Sequence, residues 1–374
     1  MSDHATDWRT FLARFTRLGT LGFGGPPGHV LLMRQQWVET RVVPTDEFND
    51  AFASVSLLPG PASTQLALWL GWRLRGYLGL LVAAFLFITP AVLLVLFFSW
   101  LTLGPGHPTA LLAAALGAAA VVPAVALRAA RDLFRSYSFP TLARGRQIRV
   151  AAYVALGTVT CVLSPPYLVL AIVGAGLVEI AVVRPFPGAP AMLGVGGATK
   201  GALCWMALKV GALSFGGGFV IVPLMRGDAV TNHHWMTAAT FAAVVAIGQL
   251  TPGPVVATVA GVGYAAGGVW TGLLAAAVAF APSLLFVGVG ARHLAALRSH
   301  QTARAFLDGA GPTATGAIIG SAILLARGCT LQWQWPLVAL ALVGVTIARK
   351  SPTLWLVGAS IVGLGLEVLF SVAV

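Results

Sequence analysis

In a chain with only 9% charged residues, four cations recur at matched places. Arg17 and Lys209 each stand six residues before a glycine cluster, Phe23-Gly24-Gly25 in one case and Phe215-Gly216-Gly217-Gly218 in the other. Arg34 and Arg226 follow just beyond. A proline cluster comes next, Pro59-Gly60-Pro61 and Pro252-Gly253-Pro254; Thr64 and Gln65 follow the first, and Gln249 and Thr251 flank the second. Together these residue types suit an anion. A guanidinium forks onto two oxygens at once, hydroxyls and amides are neutral donors, and glycine lets backbone approach closely because it has no Cβ. Pro61 and Pro254 fit the first turn of a helix, where the missing N–H costs nothing. The helices they open are expected to aim the free N–H groups of residues 62–65 and 255–258 at a common point, a ready anion site.

Each group also has a plainer reading. The glycine and proline clusters serve equally as hinges or tight helix crossings. Arg17 and Lys209 fit side chains that snorkel to an interface, and Arg34 and Arg226 fit loop charges that set topology. Thr64, Gln65, Gln249 and Thr251 are donors, caps or packing groups. His29 and the pair His233-His234 read as solvated loop residues, with proton relay the alternative. Glu179 and Glu367 read as interfacial anchors, with ion coupling the alternative. Cys161, Cys204 and Cys329 lack metal or disulfide spacing and read as packed thiols. A phosphate-cradling G-x-x-x-x-G-K-[ST] is missing, so the chain carries no ATPase of its own. With no H-E-x-x-H, nucleophile motif or paired membrane carboxylates, we expect no enzyme, cofactor or metal.

The elements that position these residues are membrane helices. Hydrophobic residues make up 58% of the chain, against a soluble domain's roughly 25% charged composition. Lipid admits only helices or closed barrels, and the segments are apolar all round instead of alternating. The fold class is therefore an all-α integral membrane protein. Its helices are expected to be broken or re-entrant at the Phe-Gly-Gly and Pro-Gly-Pro motifs, because broken backbone survives at membrane depth only where protein buries it or where it lines a cavity. Paired breaks point to a transporter's binding site.

The unit is written twice. Arg17–Gly25 matches Lys209–Gly217 at an offset of 192, Pro59-Gly60-Pro61 matches Pro252-Gly253-Pro254 at 193, and Pro90 matches Pro282 at 192. We divide the chain into a first repeat at 1–183, a Gly/Pro/Ala-rich linker at 184–199 that is uncharged after Arg184, and a second repeat at 200–374. Crossings are expected near 51–72, 77–101, 110–127, 150–163 and 167–183, then near 268–290, 312–326, 335–348 and 353–374. Net charge is +12, which reads as loop arginines obeying the positive-inside rule and not as a nucleic-acid surface. Loops 128–149 and 291–311 are basic, whereas 101–109 and 327–334 are nearly free of cations. This alternating bias predicts an inverted-topology repeat. One feature opposes it: both starts are basic, Arg9, Arg14 and Arg17 against Arg184, Lys200 and Lys209. Either a segment re-enters where a span is counted, or the amino terminus breaks the charge rule.

With F-G-G-P-P-G-H-V-L-L-M-R, L-L-P-G-P-A-S-T-Q, F-G-G-G-F-V-I-V-P-L-M-R and G-Q-L-T-P-G-P in place, the chain resembles the chromate ion transporter superfamily in its long, two-half form. The resemblance covers nearly the whole length. It implies a multi-pass transporter of the bacterial inner membrane that exports the chromate dianion from the cytoplasm and gives chromate resistance, with sulfate or another oxyanion as the alternative substrate. The partners implied are the oxyanion and the lipid bilayer; a homodimer is left open. There is one departure. Residues 237–246 contain no carboxylate, whereas the first connector carries Asp46, Glu47 and Asp50. Proton coupling through acids in both connectors is thereby in doubt.

Overall fold

The computed structural model describes residues 7–23, 25–56, 58–104, 106, 109–137, 142–183, 199–214, 219–290, 301–347 and 352–372. Every regular element among them is helical.

Trp8, Phe11, Phe15 and Leu18 at helical spacing build α1 (Trp8–Leu21), and Asp7 caps its start by accepting from the Arg9 N–H. The helix stops at Gly22. The chain restarts as α2 (Gly25–Met33) and continues through a π-helical turn, Arg34–Val38. This second limb runs back along the first. The Phe15 ring lies 4.8 Å from Trp37, and Arg14 Nη1 donates to Thr40 at 3.3 Å. α3 (Thr45–Val55) opens with Asp46 and Glu47, acids that favour a helix start. After the Pro-Gly-Pro break comes α4 (Ala62–Leu103), sharply kinked at Arg75 and Gly76. Its first arm returns along α3, so that Glu47 near one base pairs with Arg73 near the other. The segment expected to run straight through 51–72 instead turns back at the break. The second arm, 77–103, continues as one long apolar helix.

α5 (Thr109–Ser136), α6 (Arg144–Leu163) and α7 (Leu168–Val183) complete the half. The second half repeats the order. α8 (Thr199–Leu213) and α9 (Ile221–Arg226) fold back on each other, bringing Lys209 to Asp228. α10 (Ala238–Leu250) reaches the second Pro-Gly-Pro, a 3₁₀ turn follows at Val255–Ala257, and α11 (Thr258–Gly267) leads away. Gly268, at φ +87°, stands where Gly76, at φ +63°, stands in the first half. α12 (Val269–Gly290), α13 (Gln301–Arg327), α14 (Gln334–Ala341) and α15 (Pro352–Val372) follow. Stretches Ala62–Leu103, Thr109–Arg135, Val269–Gly290 and Arg304–Arg327 are each long and apolar enough to cross a bilayer.

The halves pack by exchange. α13 lies chiefly against α6 and α7, and its counterpart α5 lies chiefly against α15. α6 and α13 run parallel: Arg146 pairs with Asp308 at 2.7 Å near their starts, and Cys161 Sγ lies 4.0 Å from Ser321 Oγ further along. The long arm of α4 and α12 run opposite ways. Leu96 meets Gly272 at one end, and Val287 shares an apolar cluster with Leu80 and Phe87 at the other.

Candidate functional site

Glycine and proline at 22–25, 58–61 and 251–254 end helices in the middle of the molecule, and the tips they form cross between halves. The Gly253 N–H donates to Gly22 O at 2.9 Å, joining the second Pro-Gly-Pro to the first Phe-Gly-Gly break. The first Pro-Gly-Pro makes the reciprocal contact. A Cβ on Gly60 would meet Gln65 Nε2 at 2.6 Å, Ser283 Oγ at 3.1 Å and Gly211 O at 3.2 Å. On Gly253 it would meet Ala91 Cβ at 2.8 Å and Gly19 O at 3.6 Å. Gly19 and Gly211, and likewise Ala91 and Ser283, are 192 apart, so the two crossings are copies. Gly60 at φ +118° and Gly253 at φ +94° occupy backbone conformations that other residues reach only under strain. Both tips sit beside the middle of a long helix, near Pro90 of α4 and Pro282 of α12.

Around this crossing, polar side chains are buried without partners. Thr64 Oγ1, Gln65 Oε1, Ser214 Oγ, Ser283 Oγ and Gln249 Nε2 make no hydrogen bond within the described residues. Each such atom costs about 1–3 kcal/mol in a closed protein, so the cluster is where a polar ligand or water belongs. Gln65 also holds the break from inside, its Nε2 donating to Pro59 O at 2.7 Å. The free amides are fewer than expected. The Gln65 N–H bonds back to Pro61 O, leaving 62–64 at the start of α4. Behind Pro254 the 3₁₀ turn uses the Ala257 N–H on Pro254 O, leaving 255 and 256.

A family model described as chromate transporter matches residues 9–180 and again residues 201–364. The chain belongs to the chromate transporter family. It is 30% identical to a chromate transport protein of Cupriavidus metallidurans over 95% of this chain and 92% of that one. It is also 30% identical to a chromate transport protein of Pseudomonas aeruginosa, over 84% and 80%. An uncharacterised transporter of Methanocaldococcus jannaschii is 26% identical over 73% of each chain. No solved structure matches. As a chromate transporter family member, the protein is a membrane-embedded transporter and not an enzyme.

The remaining sequence candidates divide. Phe23 is 42% exposed, and Gly25, at φ +68°, lies beside Val255. Gly24 and Phe215–Gly218 lie outside the described residues. Thr251 Oγ1 donates to Gly248 O and caps its own helix. Arg34 turns to the connector, donating to Asn49 Oδ1 at 3.3 Å, and Arg226 closes α9; neither is at a tip. Arg17 is exposed on α1, whereas Lys209 Nζ lies 2.6 Å from Asp228 Oδ2. Glu179 is buried and pairs with Arg149 at 2.7 Å. Glu367 is half-buried, beside Trp333 in a small cleft.

His29 corrects the sequence reading. It is not a solvated loop residue but fully buried, its Nε2 2.9 Å from Gly22 O and its Nδ1 3.2 Å from Ser63 Oγ. It thus links the first break to the first turn of α4. His233 and His234 are exposed, as expected, with His233 stacked on Trp235. Sequence reasoning passed over Ser214, Ser283, Gln36 and Asp228. The repeat offset would have paired Ser283 with Ala91 and Asp228 with Gln36, which marks both as places where one half turned polar or acidic.

Proposed function

We propose that the protein exports chromate as the dianion from the cytoplasm, across a bacterial inner membrane, and so gives chromate resistance. The carrying observation is the crossing of the broken tips, Gly22 on Gly253 and Gly60 against Gly211, ringed by the unpartnered polar atoms of Thr64, Gln65, Ser214, Gln249 and Ser283. A tetrahedral oxyanion needs such neutral donors and helix starts where full charges are expensive. The relatives named as chromate transport proteins support the substrate. Sulfate is the second reading, because the same donors fit any tetrahedral dianion.

The halves form an inverted repeat, 1–183 and 200–374 joined by 184–199. The opposite run of α4 and α12 supports this, as does the pairing of α6 with α13. α6 returns from α5, so a helix parallel to α6 runs against α5, its own counterpart. In this arrangement α1–α2 and α3–α4 are re-entrant hairpins from one face, and α8–α9 and α10–α11 from the other. The conflict of two basic starts then shrinks. Arg184 opens the linker beside the end of the first half, Lys209 is paired with Asp228, and only Lys200 opposes the charge rule.

A dianion leaving a negative-inside cell gains about 4.6 kcal/mol per 100 mV. That holds an outward gradient of about three orders of magnitude, with ~1.4 kcal/mol per tenfold, and needs no coupling ion. The test is radiolabelled chromate and sulfate flux in proteoliposomes under a potassium–valinomycin potential at constant pH. Flux that quickens toward the positive side supports electrogenic export. Flux blind to the potential but driven by a pH step means proton exchange. Topology is tested by introduced cysteines at 101–109, 128–149, 291–311 and 327–334. Loops 128–149 and 291–311 should label from one face and the other two from the opposite face. Native Cys329 will interfere little, since burial pushes its thiol up to about 11.

A further inference from the structure

In the second half, Lys209, Asp228, Asn232 and Trp205 form a closed set. Lys209 Nζ reaches Asp228 at 2.6 Å, Asn232 Nδ2 donates to the other carboxylate oxygen at 3.0 Å, and the ammonium lies 5.8 Å from the Trp205 ring centre. The residues 192 earlier are Arg17, Gln36, Thr40 and Ala13. The exchanges remove the internal anion and the indole. The carboxylate becomes a neutral amide, the indole becomes a methyl group, and the cation becomes a guanidinium. A second cation, Arg14, stands where the second half has Met206.

These first-half residues line one cleft of about 460 Å³ between α1 and the returning limb, together with Thr10, Leu32 and Gln35. One water occupies about 30 Å³, so a dianion fits there with part of its hydration. Gln36 is the second observation. It is 7% exposed, and neither its Nε2 nor its Oε1 has a hydrogen-bond partner within the described residues. A buried amide that donates and accepts nothing costs free energy, and Gln36 lines the cleft, so its amide is within a side-chain rotation of a bound ion. Among the described residues no acid lines the cleft.

We propose that this cleft is a binding site for a tetrahedral divalent oxyanion, held by the Arg14 and Arg17 guanidiniums with the Gln36 amide as neutral donor, and that the second half lost its counterpart when Asp228 supplied an internal anion. The cleft opens at the base of the first hairpin, on the face from which export starts. Its role as an entry site rests on the transport reading above; the binding itself does not.

The test is calorimetric titration of the full chain in detergent with sulfate and with chromate, beside proteoliposome flux. Wild type should bind both anions. Gln36→Asp, which installs the second half's carboxylate, and Arg17→Gln should each weaken binding at least tenfold. Ala13→Trp, which puts the second half's indole into the cleft, should abolish it and serves if Gln36→Asp fails to fold. Wild type that binds neither anion, or variants that bind as wild type does, overturn the proposal. So does binding that an anionic lipid, and not the dianion, accounts for. Binding intact in wild type without flux of either anion would leave the site standing and defeat the transport reading.

Discussion

The two halves share one scaffold and differ in where they are polar. Each breaks at the same tips, each turns at a left-handed glycine after the second hairpin, and each crosses the other at the same register. Around the first Pro-Gly-Pro the chain places Ser63, Thr64, Gln65 and Ser283. At the matched places of the second half stand Val256, Ala257, Thr258 and Ala91. The clefts differ in the same sense, Arg17 with Gln36 against Lys209 with Asp228. Glycine and proline are shared because both halves need the same backbone. Polar side chains are shared less, since every further polar group at depth would need a partner. At the clefts the first half keeps its cations without an internal acid, whereas the second half closes on the Lys209–Asp228 pair.

That contrast is broken most severely at the ion pair. Lys209 and Asp228 are 15% and 11% exposed. Removing one partner strands a charge, so Lys209→Ala should cost roughly 3–5 kcal/mol of stability. The double change Lys209→Met with Asp228→Leu should recover most of it and keep chromate flux within a few-fold of wild type. Thermal inactivation and flux read both. A double variant that folds but carries nothing would make the second half chemical after all.

Arg17→Ala is the converse. With no acid among the described residues of its cleft, it should leave stability nearly unchanged yet lower flux roughly 10- to 100-fold, the worth of a charge-assisted contact of about 1.5–3 kcal/mol. Normal flux would remove the difference between the clefts.

At the tips the halves should respond alike. Gly60→Ala and Gly253→Ala each force a side chain into a left-handed backbone, at about 1–3 kcal/mol, and each new Cβ strikes the other half. Comparable losses in melting experiments support equivalent crossings; an inert Gly253→Ala would show that only the first is tight.

The smallest effect is expected at His29, whose matched residue is Ile221. His29→Leu removes two hydrogen bonds, each worth about 1 kcal/mol. It should loosen the first half alone, seen as faster hydrogen exchange around residues 20–30 and 60–66. Exchange rising equally around residues 212–222 would tie the two hairpins into one unit.

Composition, the 192-residue offset and the break motifs placed this protein among duplicated all-helical membrane transporters before any coordinates. Those features are local: hydropathy sets what lies in lipid, and proline and glycine stop a helix wherever it goes next. Motif position also gave Pro61 and Pro254 as helix starts. The direction taken after each break was not local. Whether the chain runs on or turns back within 51–72 depends on α4 packing along α3, a return marked by Glu47 and Arg73 some 26 residues apart. His29 looked solvated beside its prolines and glycines, and only the tertiary structure buries it, by bringing Ser63 and Gly22 to its two nitrogens. Asp228 and Gln36 lie far along the chain from the cations they face or fail to neutralise. The pairing of a charge, unlike the ending of a helix, is decided by which segments fold back together.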